Sequence, residues 1–247
     1  MPVSRDSYLP RIFAQLELLH CDSEKTSLLV LVDGDVNLFS KVRNYVVNSK
    51  FHQRLCEYRR KGVPNVGSVK RRRQRIADIH NEVKQYIENA DYLFLIEDDT
   101  LIPTTALDLL LNDFDFYSYA GIISGIEIGR WGYTHIGAWT VDDIYDPKKI
   151  TSIKLGEELE PVDATGLYCC LVKKENYMSH NFAPLLDILG PDVNFGIELR
   201  KMGLQNYVDH RIKCEHLTKR GAITFINSEI EQVQLSLEDN NWKQGKI

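Results

Sequence analysis

DYLFLIEDDTLIP, residues 91–103, carries the clearest structural signal in the sequence. Its run 92–96 is short and wholly apolar, which is typical of a strand buried on both faces of a parallel sheet. Three carboxylates follow at once, Glu97, Asp98 and Asp99, and open α/β sheets bind their ligands at this end of their strands. Clustered carboxylates repel one another unless a cation neutralises them. The pattern therefore predicts an Mg²⁺ or Mn²⁺ site, and the alternative is a solvated acidic turn that caps the next helix.

The rest of the chain alternates such strands with amphipathic helices. The run 28–32 is a second apolar strand, and it ends in Asp33-Gly34-Asp35. Apolar residues spaced three and four apart predict helices around these strands, over residues 8–19, 38–60, 69–88 and 100–112. This alternation indicates an α/β fold with a mostly parallel, Rossmann-related central sheet flanked by helices. Further strands, with a smaller antiparallel part among them, are predicted over residues 120–125, 135–141, 166–172 and 206–209.

The C-terminal part contains one more predicted helix and a polar tail. Asp192 is expected to cap a helix over residues 193–202, because a short acidic side chain accepts hydrogen bonds from the backbone at a helix start. Gly203 follows where helices often end in a left-handed residue. The polar segment 227–247 is predicted to be a surface helix. No repeat or linker divides the remainder, so we predict one domain over residues 1–226.

Composition excludes several classes of protein. The chain has 247 residues, of which 43% are hydrophobic and 26% charged, so it can bury a large core and is not a disordered chain. No apolar run approaches the roughly 20 residues that cross a bilayer, and no secretory signal is visible, so we expect a cytoplasmic protein. Five cysteines without a C-x-x-C pair predict neither a disulfide framework nor a thiolate zinc site.

Charge narrows the choice of partner. The chain carries 30 basic and 35 acidic residues, and its net charge of −5 argues against a surface built for nucleic acid. The segment 70–75, Lys-Arg-Arg-Arg-Gln-Arg, is a local exception. Such a block is typical either of a surface that meets a phosphate-bearing ligand or of a solvated helix start.

Several segments, in order, resemble glycosyltransferases of the GT-A fold, most closely the broad family 2 type. The strongest is residues 91–103, which resembles the metal motif of that family with Glu97 in place of the commoner first Asp. The resemblance implies that Asp99 is the direct ligand of Mn²⁺ or Mg²⁺. It also implies that Glu97 contacts the donor ribose, or the ion through water, and that Asp98 belongs to the same donor-binding motif.

The same resemblance implies that residues 1–115 form the half of the domain that binds the nucleotide sugar. Donor contacts are expected from the opening turn, from the end of the second strand and from the helix before the metal motif: Ser4, Arg5, Asp33, Arg75 and Asn81. Asp33 is expected at the base or ribose. His80 stands where the family has an Arg, so we expect Arg75 to contact the diphosphate. Members of the family begin with a complete apolar first strand, whereas only residues 1–3 precede the opening turn here, so we expect either a sheet that is one strand short or a sequence trimmed upstream.

Residues 116–226 are expected to form the acceptor side. The segment 162–173 resembles the floor of the acceptor site and includes Gly166. Trp131 is a candidate to stack on a sugar ring or a base, with ordinary packing as the alternative. Asp192 resembles the catalytic base of inverting enzymes, with Pro191 in place of the usual Glu.

A histidine near the end of the predicted domain is expected to complete the metal shell. The segment 207–217 resembles the family's closing segment, in which His216 is the expected ligand and His210 the alternative. An imidazole ligand favours Mn²⁺ over Mg²⁺.

The resemblance implies a metal-dependent glycosyltransferase that moves a sugar from a nucleoside-diphosphate sugar, expected to be a UDP-sugar, to an acceptor hydroxyl. Inversion is favoured, and a glycan, a lipid-linked sugar, a protein or DNA remains open as acceptor. One alternative is a sugar nucleotidyltransferase, against which the absence of glycine from residues 2–9 counts. The other is a catalytically inactive module of the same fold that binds a nucleotide sugar or a glycan.

Overall fold

The computed structural model describes residues 1–4, 6–59, 69–129, 135–185, 189–219, 221–225 and 234–236. Its helices are α1 (Leu9–Leu18), α2 (Val36–Val47), α3 (Val69–Val83), α4 (Ala106–Phe116), α5 (Lys174–Ser179) and α6 (Pro191–Lys201). A 3₁₀ turn, Lys84–Tyr86, extends α3. Within the described ranges, no helix is long and apolar enough to cross a bilayer.

The strands of the first half are β1 (Pro2–Val3), β2 (Ser27–Val32), β3 (Gln53–Tyr58), β4 (Tyr92–Ile96) and β5 (Thr100–Leu101). Those of the second half are β6 (Ala120–Glu127), β7 (Ala138–Val141), β8 (Lys149–Ser152), β9 (Leu159–Val162), β10 (Ala164–Thr165), β11 (Cys169–Lys173), β12 (Gln205–Thr218), β13 (Gly221–Ile223) and β14 (Gln234–Ser236). Together with the helices they form the α/β architecture that the sequence predicts.

These strands form three sheets. The first has the order β1-β2-β3, and both of its pairs are parallel. The second has the order β13-β12-β6-β11-β4, in which β12 and β6 are parallel while β11 runs antiparallel to both β6 and β4. The third, β10-β7-β8-β14, is antiparallel. Antiparallel pairing therefore reaches the centre of the molecule through β11, beyond the separate part that the sequence predicts.

Helices cover both faces of the strands, as the apolar runs predict. Val30 and Val32 pack in the cluster that contains α1, α2 and α4, whereas the intervening Leu31 packs in the cluster that contains α3 and α6. Ile123 and Ile122 of β6 divide in the same way. Alternate side chains of a strand point to opposite faces, so a strand buried on both faces must be apolar throughout.

Several predicted boundaries are wrong, among them that of the helix predicted over 100–112, which begins only at Ala106 because Thr100–Leu101 is strand β5. The helix predicted over 38–60 ends at Val47, because Ser49 donates a hydrogen bond from Oγ to the Val46 carbonyl at 2.8 Å and the chain then turns into β3. The strand predicted over 206–209 extends through the whole of β12, because irregular register between Val208 and Lys213 lets it continue past a break in the ladder.

The helix predicted for the tail is also wrong where the tail is described. Gln234–Ser236 is a strand that pairs with β8, with Leu235 opposite Ile150. Addition of a strand satisfies backbone groups at the edge of that sheet, which a helix would not do. The remainder of the tail lies outside the described residues.

Asp98 joins the first sheet to the second. Its Oδ2 accepts hydrogen bonds from the backbone N of Ser4 at 2.7 Å and from the Ser4 hydroxyl at 3.2 Å. Between β1 and β4 the described residues form no strand pairing, so this side chain holds the end of β1 against the end of β4. Asp98 is 5% exposed, and its hydrogen bonds fix the end of β1 beside the residues that follow β4, where the candidate site lies.

His80 belongs to the interior of the second face. Its ring stacks on Phe182 at 4.9 Å, and its Nδ1 lies 2.9 Å from the hydroxyl of Tyr177, which itself donates to the His80 carbonyl at 3.0 Å. The hydroxyl proton is used in that bond, so Nδ1 is the donor in the other. Burial lowers the pKa of His80 from 6.5 to about 3, so the ring is neutral in the folded protein.

The buried neutral histidine predicts a loss of stability in acid. Below pH 6.5 the unfolded chain takes up a proton that folded His80 refuses until about pH 3, so stability falls as the pH drops through this window. His80→Phe should reduce the loss of unfolding free energy between pH 7 and pH 4.5 by about 2–3 kcal/mol, measured by urea unfolding. His52→Phe, at an exposed position, is the control and should leave the loss unchanged; equal losses in the His80→Phe variant and the wild type would contradict the assignment.

Candidate functional site

Four elements bring acidic and imidazole side chains to one place. β4 leads into Glu97 and Asp99, β6 ends at Glu127, the first turn of α6 holds Asp192, and His216 lies near the end of β12. The ring of His216 lies between two of the carboxylates, with Nε2 at 3.5 Å from Oδ2 of Asp99 and Nδ1 at 3.1 Å from Oε2 of Glu127. The structure thus unites the predicted residues of the metal motif with the predicted histidine.

Glu127 is the member of this group that the sequence analysis missed. The predicted strand stops at residue 125, whereas β6 continues to Glu127 and its eight residues are all buried. A carboxylate within the apolar run Ile126-Glu127-Ile128 was the available signal, because a buried charge needs a partner or a ligand.

Negative charge is concentrated here and is partly removed from water. Burial raises the pKa of Glu97 from 4.5 to about 7, and the neighbouring carboxylates of Glu127, Asp192 and Asp98 raise it further than the nearby His216 lowers it. Burial also raises the pKa of Asp192, against the backbone N–H groups at the start of α6 and the charge of Arg73. A carboxyl group with a raised pKa can exchange protons near neutral pH, as a general base must.

Asp192 does not cap α6 in the predicted way. The N-cap is Gly190 and Pro191 is the first helical residue, so Asp192 lies within the first turn and not at the cap position. The Asp192 carboxylate instead turns back over Gly190, where an added Cβ would lie 2.0 Å from its Oδ1. Glycine at position 190 therefore makes room for the carboxylate beside the cluster, and Pro191 fits the first helical position because it needs no backbone donor.

The structure brings two of the residues predicted to contact the metal, Asp99 and His216, face to face. Nε2 of His216 is buried, forms no hydrogen bond within the described part of the chain and faces Asp99 Oδ2 at 3.5 Å, not far from the roughly 3 Å between adjacent ligands of a six-coordinate ion. Within the same part, no group of three or more His, Cys, Asp or Glu side chains is close enough to hold a metal. Mg²⁺ is usually held by one or two carboxylates together with waters and substrate phosphates, so the carboxylate of Asp99 with the imidazole of His216 beside it is compatible with an ion shared with a phosphate ligand.

The alternative histidine is used elsewhere. His210 is 1% exposed; its Nδ1 accepts a hydrogen bond from the backbone N of Gly156 at 3.1 Å, and its Nε2 lies 3.0 Å from Oε2 of Glu160. Both ring nitrogens therefore have protein partners, which excludes His210 as the ligand in this arrangement.

On the donor side, Asp33 and Arg75 lie together. The Arg75 Nε donates to Oδ2 of Asp33, and its Nη2 donates to the Asp33 carbonyl at 2.8 Å. Arg59, which the sequence analysis did not identify, approaches the same oxygen at 3.6 Å and donates to Glu82 at 2.6 Å. Asp33 is 1% exposed, and two guanidinium groups offset the cost of burying its charge.

An open groove of about 350 Å³ lies next to these residues, where β1 and β2 end. It is lined by Ser4, Asp6, Gly34, Asp35, Asn37, Leu38 and Lys41. Ser4 therefore lines the groove and also donates to Asp98.

Several predicted contact residues have structural roles. The Asn81 side chain donates to the Phe182 carbonyl and accepts from the Phe182 backbone N, both at 2.9 Å, so both ends of its amide are used. Gly166 is buried against Tyr168, where an added Cβ would lie 2.3 Å from the ring. Two further predicted contacts, Arg5 and Trp131, lie outside the described residues.

Comparison with known proteins supports the fold. No family model matches the chain, and no curated protein sequence matches it. Among solved structures, the chain is similar to S. aureus TarS in complex with UDP-GlcNAc, with a TM-score of 0.51 and 10% identity, over 90% of this chain and 56% of that one. Looser likenesses, on which we base nothing, are to A197 from STIV (TM-score 0.45, 16% identity, 85% and 97% of the two chains) and to apo UDP-glucose pyrophosphorylase (0.46, 9%, 81% and 77%).

At this identity the TarS likeness concerns the fold alone. The structural neighbours have glycosyltransferase-like folds, so the predicted fold class, an α/β sheet flanked by helices, is confirmed. The chain spans little more than half of the TarS chain.

The raised pKa of Glu97 predicts the effect of neutralising it. Folded Glu97 keeps a proton that the unfolded chain has released between about pH 4.5 and 7, so the wild type loses stability as the pH rises through this window. In EDTA, Glu97→Gln should add about 2–3 kcal/mol more to the unfolding free energy at pH 8 than at pH 5. The exposed Glu175→Gln should show no such difference, and an equal effect of Glu97→Gln at both pH values would refute the buried cluster.

Proposed function

We propose that the protein is a metal-dependent glycosyltransferase that moves a sugar from a nucleoside-diphosphate sugar, a UDP-sugar in the first instance, to an acceptor hydroxyl. The observation that carries the proposal is the pair Asp99 and His216, which face each other at the carboxyl ends of the strands with the Asp192 carboxylate in the same charged cluster. The proposal is further supported by the fold shared with TarS, a chain solved with UDP-GlcNAc.

Asp99 and His216 would hold the ion, and the imidazole ligand favours Mn²⁺. When bound, such an ion supplies Lewis-acid stabilisation of the charge that grows on the departing nucleoside diphosphate. Glu97 adds negative charge beside this pair and so increases the attraction for a cation.

Arg75 and Arg59 hold the carboxylate of Asp33 at the end of β2. This arrangement makes Asp33 a rigid acceptor for a ribose hydroxyl or a base N–H, and its Oδ1 has no hydrogen-bond partner within the described residues. The groove beside it has room for the nucleoside, with Ser4 and Lys41 as polar contacts at its wall.

Asp192 would accept the proton of the acceptor hydroxyl in an inverting transfer. Its position in the charged cluster and its raised pKa suit a general base, whose contribution is typically 10²- to 10⁴-fold in rate. The acceptor is a glycan, a lipid-linked sugar, a protein or DNA, and assays of UDP release with each of these classes identify it. We also propose a cytoplasmic location, because all five cysteines are free, as is usual in a reducing compartment.

Removal of either proposed ligand should abolish the coupling between metal and nucleotide. In a thermal-shift screen of UDP and UDP-sugars, the wild type should gain melting temperature only when Mn²⁺ and the nucleotide are both present, because both bind the folded state. Asp99→Asn and His216→Gln should lose this joint shift, and the exposed Asp115→Asn should keep it. A wild-type shift that is the same with and without Mn²⁺ would contradict the metal site and favour the inactive binding module.

Asp192→Asn separates chemistry from donor binding. The variant should retain the Mn²⁺-dependent thermal shift with the UDP-sugar but release UDP 10²- to 10⁴-fold more slowly in the presence of a productive acceptor. The matched control is Asn194→Asp, which places a carboxylate two residues along α6 and should not restore turnover when combined with Asp192→Asn. Unchanged UDP release by Asp192→Asn would exclude the base role.

A further inference from the structure

The ring of His216 has a defined tautomer. Its Nδ1 lies 3.1 Å from Oε2 of Glu127 and 3.2 Å from the Ile128 carbonyl oxygen. A carbonyl oxygen only accepts hydrogen bonds, so Nδ1 carries a proton and is the donor. In the neutral ring the lone pair is then on Nε2, the atom that faces Asp99.

Glu127 is itself held from two sides. Its Oε1 accepts a hydrogen bond from the Thr100 hydroxyl at 2.5 Å, which leaves Oε2 toward His216. Its backbone N donates to the hydroxyl of Tyr168 at 3.2 Å. The carboxylate is 6% exposed, so these contacts take the place of water around it.

Tyr168, in turn, is fixed by the packing around its ring. Its hydroxyl lies 3.1 Å from the carbonyl oxygens of both Gly125 and Ile136, to one of which it donates. Gly137 has φ +68°, and a Cβ there would come within 2.7 Å of the hydroxyl. A Cβ at Gly166 would collide with the ring from another side. Tyr168 is buried at 6% exposure and supports the backbone at the end of β6.

We propose that Glu127 is a positioning residue that presents Nε2 of His216 to the metal ion, with Thr100 orienting the Glu127 carboxylate. The inference rests on the proposed function, because it assumes that His216 binds the ion. A ligating histidine whose second ring nitrogen donates to a carboxylate has a fixed ring orientation and is a more basic ligand, and loss of such a partner typically costs 10- to 100-fold in metal affinity.

Titration of the intact 247-residue chain with Mn²⁺ alone, followed by electron paramagnetic resonance of the free ion, tests the proposal without turnover. Glu127→Gln keeps the size of the side chain but replaces one carboxylate oxygen by an NH₂ donor, so acceptors no longer stand at both the position that meets Thr100 and the position that meets His216. We expect its Kd for Mn²⁺ to rise 10- to 100-fold. Thr100→Val, which retains Glu127 but frees its orientation, should raise the Kd in the same direction by a smaller factor, and it carries the test if Glu127→Gln does not fold.

Glu160→Gln is the matched control. Glu160 of β9 pairs at 3.0 Å with His210, which lies on β12 like His216, so the substitution removes the charge from a second Glu–His pair that does not involve the proposed ligands. Its Kd for Mn²⁺ should equal that of the wild type. A loss of affinity common to all three variants would indicate general destabilisation and overturn the positioning role.

The possible failures are distinguishable. If the wild type binds Mn²⁺ and both Glu127→Gln and Thr100→Val bind it equally well, the positioning role is overturned and the proposed metal site stands. If the wild type does not bind Mn²⁺, with or without UDP, the proposed function fails and the inference fails with it.

Discussion

The removal of carboxylates from water at the carboxyl ends of β4 and β6 is the constraint on which the rest of this structure depends. Each buried negative charge raises the cost of ionising its neighbours, and Glu97, with a pKa of about 7, shows that the cost is substantial. The protein offsets it with hydrogen bonds from Ser4 to Asp98 and from Thr100 to Glu127, and with the ring of His216 between Asp99 and Glu127. A bound cation would offset it further, and this links the stability of the site to its proposed function.

The parts of the fold that the sequence predicts best are those that are buried on both faces. Residues 92–96 are all apolar, which favours a strand buried on both faces, and the predicted strand matches β4 at both ends. The helix predicted over 38–60 includes β3, because Gln53–Tyr58 is a half-exposed edge strand whose mixed polar and apolar residues do not show the pattern of a buried strand. Its pairing with β2 is a long-range contact that local periodicity does not reveal. The antiparallel position of β11 between β4 and β6 is likewise a matter of topology.

The candidate site divides in a similar way. Asp99 and His216 were identified through a resemblance, and the structure places them face to face; Asp33 and Arg75 are also together. The sequence analysis did not identify Glu127 and Arg59. Each contacts a residue that is distant in the sequence, His216 for Glu127 and Asp33 for Arg59, and the residues around them do not reveal these pairs. Conversely, the amide of Asn81 is occupied by the backbone of Phe182, which the sequence could not show.

Anomalous diffraction at the manganese edge, from crystals of the protein grown with Mn²⁺ and UDP, tests the central claim most directly. The account predicts one strong peak within bonding distance of Asp99 Oδ2 and His216 Nε2, with the UDP phosphates on its open side and the Glu127 carboxylate on the far nitrogen of the ring. Ordered UDP in the groove with no manganese peak at Asp99 and His216, or a peak bound by other side chains, would contradict it.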